Sequence, residues 1–182
     1  MKLFLFALLI SIVNCNSSVQ TSNISENTVE QNEESEQEEI LVGAISMEDL
    51  RQEPHATWFE PMYKSYKPSE EALATIKNNI SDYEITVFMG TWCADSQREV
   101  PKLYKLLEES GYNMENFEMQ AVKEDKTLPG ELEKEYNIHY VPTIIFSKNG
   151  KEVNRFVEYP QEDFEDDLAK IVSGQEYSNS YE

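Results

Sequence analysis

The sequence predicts an α/β domain: a central mixed β-sheet flanked by helices on both faces. Three observations predict it. Apolar spacing alternates between the helical and the extended period, in the order helix, strand, helix, strand, helix, hairpin, helix. The run Ile85-Thr86-Val87-Phe88-Met89 has the composition of a buried strand and is followed closely by a helical run. Two further extended runs are joined by Asn149-Gly150, the strongest short signal for a hairpin turn.

Each element has a local reason. Pro68-Ser69 opens the first helix. Ser69 is the N-cap, and Glu70 and Glu71 set negative charge in the first turn, where the backbone N–H groups lack partners. Ala72, Leu73, Ile76 and Ile80 form its apolar face. The strand over 85–89 follows, then a helix over 98–109 with Leu103, Leu106 and Leu107 inward and Gly111 suited to its C-terminal cap. Alternation predicts a second strand over 117–122. A short helix is expected over 127–136, with Pro129 in its first turn. The hairpin pairs 143–146 with 152–157 around Lys148-Asn149-Gly150-Lys151. A last helix over 162–172 puts Phe164, Leu168, Ile171 and Val172 on one face.

Outside that domain, taken as residues 69–173, four segments differ in character. Lys2 followed by an apolar run over 3–13, broken only by Ser11, has the form of a secretory signal over 1–15. The run is shorter than the ~20 residues a bilayer span needs. Ile12-Val13-Asn14-Cys15 resembles a bacterial lipoprotein box, with Cys15 as the lipid attachment. Ordinary cleavage just beyond Cys15 is the alternative. Residues 16–45 read as a disordered acidic linker. Over 16–39 the segment is mostly Ser, Asn, Gln and Glu with almost nothing apolar and no basic residue, and cannot bury enough surface to offset its ordering entropy. Residues 46–68 form an aromatic-rich extension with Trp58, Phe59, Tyr63 and Tyr66, expected to pack over an edge or face of the domain. Residues 174–182 are polar and read as a flexible tail. The formal net charge of −20 argues against nucleic acid as a partner and against electrostatic attraction to an anionic membrane.

The chemistry concentrates in Trp92-Cys93-Ala94-Asp95-Ser96. Cys93 falls at a strand-to-helix junction, where the helix N-terminus favours an anion, and the thiolate is the form that attacks disulfides. Acylation or cleavage removes Cys15 as a thiol, so Cys93 is the one free thiol of the mature chain. An unpaired cysteine in an exported protein is a reactive group or an intermolecular partner, and a buried inert cysteine is the plain alternative. Asp95 is a first-turn carboxylate that supports the helix while opposing a thiolate nearby. Cys93 with the scattered His55 and His139 gives no metal-site spacing, and no cofactor is called for.

Over residues 69–173 these motifs resemble the thioredoxin family. Trp92-Cys93 sits at the strand–helix junction. Pro101 falls eight residues after the cysteine, where the family kinks this helix. Tyr136-Asn137-Ile138-His139-Tyr140-Val141-Pro142-Thr143 is similar to the family segment ending in a cis-proline, and Lys148-Asn149-Gly150 matches the turn of its terminal hairpin. The resemblance implies a thioredoxin-like fold with Val141-Pro142 against Cys93. Val141 then contributes substrate contact and Pro142 the cis turn, while Trp92, Asp95 and Thr143 shape the site. Two departures stand out: Ser96 replaces the second cysteine, giving a CxxS motif, and Val87 stands where the family tends to carry a buried acid. Both fit a monothiol site, because without a resolving thiol there is no second proton to remove.

The resulting expectation is a monothiol thiol–disulfide exchange enzyme of the cell envelope or periplasm. Cys93 would attack protein or low-molecular-weight disulfides, Ser96 would orient or solvate the thiol, and an external reducing thiol would resolve the product. Lipid on Cys15 would anchor the chain to the membrane. The alternatives are a non-catalytic thioredoxin-like binding or adaptor module and a tethering lipoprotein.

Overall fold

The computed structural model describes residues 40–182. The expected signal over 1–15, Cys15 and the linker as far as residue 39 lie outside the described residues. The described residues form one mixed sheet of five strands: β1 (Gly43–Ala44), β2 (Glu84–Met89), β3 (Phe117–Ala121), β4 (Thr143–Lys148) and β5 (Lys151–Val157). Their order across the sheet is β1-β3-β2-β4-β5, with β2 parallel to β3 and every other pair antiparallel. The helices are α1 (Met47–Leu50), α2 (Ala56–Ser65), α3 (Glu70–Asn79), α4 (Ala94–Ser110), α5 (Leu132–Glu135) and α6 (Phe164–Ser173).

The period-2 alternation of the strands divides the core in two. Ile85, Val87 and Met89 of β2 join Ile144 and Phe146 of β4 in one cluster with residues of α2, α3, α4 and α6. Phe88 and Ile145 point the other way, into a smaller cluster with Val122, Leu128, Ile138 and Val141, closed by Leu132 of α5 and Tyr136. Helices therefore cover both faces, but unequally.

The local signals act as expected. Ser69 Oγ accepts from the Ala72 N–H at 3.2 Å and caps α3. Gly111 ends α4 at φ 74°, the left-handed cap conformation. Asn149 and Gly150 both take positive φ, 53° and 70°, as the tight turn between β4 and β5 requires.

Several boundaries differ from the sequence reading. The linker does not run to residue 45: β1 pairs with Gln120 and Ala121 of β3, and the Ile45 N–H donates to the Met119 carbonyl at 3.0 Å. Two paired residues are too few to leave an alternation pattern. The extension over 46–68 is part of the domain core, because Leu50 and Phe59 are both wholly buried. The helix expected over 127–136 is reduced to the single turn of α5. Lys126 and Glu131 take positive φ, which breaks helical geometry on either side of Pro129.

The tail over 174–182 is docked rather than free. Asn179 is buried, the Tyr177 hydroxyl donates to Asp167, and Ser180 Oγ donates to the Tyr159 carbonyl at 2.7 Å. Its polar composition hides two tyrosines, whose rings supply apolar surface enough to hold it.

Candidate functional site

Cys93 is the N-cap of α4, with extended backbone at φ −91° and ψ 121°. That conformation follows from the chain leaving β2 at Met89 and turning through Gly90 and Thr91; the Cys93 N–H donates to the Gly90 carbonyl at 3.0 Å. The Cys93 side chain is half-buried, and its thiol donates to the Val141 carbonyl at 3.2 Å. Val141-Pro142 is a cis peptide bond, as the resemblance implies. Thr143 Oγ1, itself buried, donates to the Tyr140 carbonyl at 2.7 Å and fixes the chain on both sides of that bond. Cys93 thus lies against the Val141 carbonyl, directly before cis-Pro142.

Trp92 is held by two contacts. Its Nε1–H donates to the Val122 carbonyl at 2.9 Å, and the Lys126 ammonium lies 5.4 Å from its ring centroid. The indole also lies against Gly90. A Cβ added there would sit 2.6 Å from Trp92 Cε2, closer than side chains tolerate, so the glycine is required by the close approach. Asp95, in the first turn of α4, pairs with Arg98 Nη2 at 2.6 Å and acts as the helix-supporting carboxylate.

Ser96 departs from its expected role. It is wholly buried, and its hydroxyl accepts from the Gly90 N–H at 3.1 Å. The side chain braces the strand-to-helix turn from inside. It supports the thiol through the backbone and does not solvate it. Val87, also wholly buried, belongs to the helix-covered core, so no acid lies beneath the site on β2. His139 Nε2 lies 3.0 Å from Asn137 Oδ1, and His55 is buried against Trp58 on α2. Neither joins Cys93. Among the described residues no group of acids, histidines and cysteines is arranged to hold a metal ion.

Sequence reasoning missed two site neighbours. Glu158, at φ 64° just beyond β5, donates its N–H to the Pro142 carbonyl at 2.7 Å. Burial, followed by the charge of Asp95, raises its carboxyl above the ordinary range, against an opposing pull from Lys126. Tyr181, from the tail, stacks on Tyr140 and donates its hydroxyl to Glu158. The only advance signal was an aromatic residue in a polar tail, which does not say where it docks.

A strand-to-helix cysteine facing a cis-proline segment, in a β1-β3-β2-β4-β5 sheet, defines a thiol-bearing α/β protein of the thioredoxin type. The comparison with known families bears this out: a family described as thioredoxin matches residues 44–167, and the chain belongs to that family. Thioredoxins of Listeria monocytogenes and Listeria innocua are each 28% identical over 89 residues, covering 48% of this chain and 82% of theirs. Among solved structures, thioredoxin of Fasciola hepatica is 25% identical, covers 57% of this chain and 89% of its own, and aligns with a TM-score of 0.38. A protein of unknown function from Pseudomonas aeruginosa is 16% identical with a TM-score of 0.49, covering 65% of this chain and 81% of that one. Family membership supports a general thiol–disulfide redox role, with thiol or protein substrates in general.

Proposed function

We propose that the protein is a monothiol thiol–disulfide exchange enzyme working through Cys93. The observation that carries the reading is Cys93 Sγ at the N-cap of α4, 3.2 Å from the carbonyl that precedes cis-Pro142, with serine at position 96. In the first step the Cys93 thiolate attacks one sulfur of a client disulfide. A Cys93–client S–S bond forms, the client S–S bond breaks, and the second client sulfur leaves as a thiolate. No thiol of the α4 N-terminus can attack that mixed disulfide, because Ser96 has no nucleophilic sulfur. An external thiol, or a different thiol on the client, must attack the client sulfur of that bond and return Cys93 as thiolate. The second route leaves the client isomerised with no net change in oxidation.

The test is the rate of mixed-disulfide formation on a model disulfide, followed by turnover with and without added glutathione. Cys93→Ser is expected to abolish both steps, and turnover of the native chain is expected to need the added thiol. Native protein performing no better than Cys93→Ser would falsify the enzyme reading. Ser96→Cys is expected to make release of the reduced client independent of glutathione, by supplying the missing resolving thiol, while the internal disulfide so formed still needs an external reductant before the next cycle.

For the address of the protein, we infer export and attachment to the cell envelope through lipid on Cys15. Support comes from Lys2, the apolar run over 3–13 and the cysteine two residues later. Labelling cells with a radioactive fatty acid checks it: label is expected on the native chain and absent from Cys15→Ala. Secretion of an unlabelled native chain would point to ordinary cleavage instead.

A further inference from the structure

The C-terminal tail builds a wall against the cis-proline segment whose Val141 carbonyl receives the thiol. Tyr140 immediately precedes Val141, the residue whose carbonyl accepts from Cys93. Tyr181 stacks on Tyr140 with ring centroids 3.7 Å apart and planes within 12°. Tyr159 meets Tyr181 edge-on at 6.3 Å. The Tyr181 hydroxyl bonds to Glu158, whose N–H bonds to the Pro142 carbonyl. Tyr181 is thus coupled to both sides of the Val141-Pro142 bond, by one stack and one hydrogen bond. Ser180 holds it there, donating to the Tyr159 carbonyl and accepting from Gln161 Nε2 at 2.9 Å.

The wall has a definite chemistry. Tyr140, Tyr159 and Tyr181 remain 40%, 45% and 45% exposed, so ring surface is left available after they have packed on one another. Glu158 and Asp95 place two carboxylates close enough to interact. An extended polypeptide with an apolar or aromatic residue next to its disulfide gains ring contact here. A small dianionic disulfide gains little contact and meets like charge.

We infer that Tyr181 is a specificity-determining residue: the tail forms a tyrosine wall against the cis-proline segment, and that wall selects polypeptide disulfides with an apolar or aromatic neighbour over small anionic disulfides. The inference rests on the exchange reading and adds a substrate class to it. Tyr181 touches no reacting atom and acts by positioning the client.

The test follows the first half-reaction with three probes. They are uncharged dipyridyl disulfide, the dianionic disulfide of nitrothiobenzoate, and a Phe-Cys peptide carrying a pyridyl mixed disulfide. In each case a Cys93–S bond forms and a chromogenic thiolate leaves. The expected result for Tyr181→Ala is a peptide-to-dipyridyl rate ratio lowered about three- to tenfold, the equivalent of one lost aromatic contact. Tyr181→Phe, which keeps the stack, is expected to restore most of that ratio. Glu158→Gln is expected to raise the dianionic-to-neutral ratio. An unchanged or higher peptide ratio in Tyr181→Ala, with an active thiol, overturns this inference alone, a rise meaning that the tail obstructs clients. A native chain that displaces no thiol from dipyridyl disulfide overturns the exchange reading beneath it.

Discussion

One face of the sheet is closed by α2, α3, α4 and α6 over Phe59, Ile76, Leu106, Phe146 and Leu168, all wholly buried. The other is closed by the single turn of α5 and irregular chain on either side, over Phe88, Val122, Ile138, Val141 and Ile145. Trp92 and Cys93 pack against the second, thinner cluster. The difference shows what irregular chain provides that helices do not. A helix consumes nearly all of its own backbone carbonyls, whereas the thin face leaves those of Val122 and Val141 to receive Trp92 Nε1–H and the Cys93 thiol. The helical face supplies stability and the thin face supplies the site.

Ile144 and Ile145 test this division most sharply. They are adjacent on β4, both wholly buried, and face opposite clusters. Truncation of either to Ala is expected to cost about 2–5 kcal/mol in denaturant unfolding, with Ile145→Ala nearer the lower end because loops collapse into a cavity more readily than packed helices do. Ile145→Ala is also expected to slow disulfide exchange at Cys93, and Ile144→Ala to leave it close to native. Equal effects of the two on exchange would remove the distinction between the faces.

Gly90→Ala should have the next largest effect. The added methyl meets the Trp92 ring, and the expected cost is about 1–3 kcal/mol, the usual range for overpacking. Displacing the indole from Val122 should shift the Trp92 contribution to fluorescence, visible against a Trp58→Phe background. Unchanged fluorescence would mean that Trp92 adapts and is not fixed by this contact.

The smallest effect concerns Asp167 on the helical face, and it lies in a slope. Asp167 is wholly buried and accepts from the Gln161 N–H at 2.7 Å and from the Tyr177 hydroxyl at 3.3 Å. Burial raises its carboxyl above the ordinary range, with the Gln161 and Glu162 N–H groups opposing. Between the unfolded value, about 3.9, and that raised one, the folded chain keeps a proton that the unfolded chain has released. Its contribution to stability therefore falls as pH rises through that window. The stability difference between native and Asp167→Asn should decline across the same window and be flat above it. A difference that grows with pH would show the backbone donors outweighing burial.

Much of this was legible along the chain because it is local. The Ser69 cap, the Gly111 terminus, the Asn149-Gly150 turn and the strand leading to Cys93 depend on backbone preferences and periodicity within a few residues. The two-residue β1 escaped notice because a stretch that short carries no period, and the helix over 127–136 reads too long because the left-handed residues Lys126 and Glu131 are not glycines. The sequence by itself determined that a single thiol stands at a helix start with no second sulfur three residues on. Tertiary structure alone decided the surroundings of that thiol. The Val141 carbonyl comes from 48 residues away, the Ser96 hydroxyl turns inward to Gly90, and Tyr181 returns from the tail to stack beside the cis-proline. Capping and turn signals encode the path of the backbone. Which donor finds which acceptor depends on the segments that burial brings together, and no local pattern records that choice.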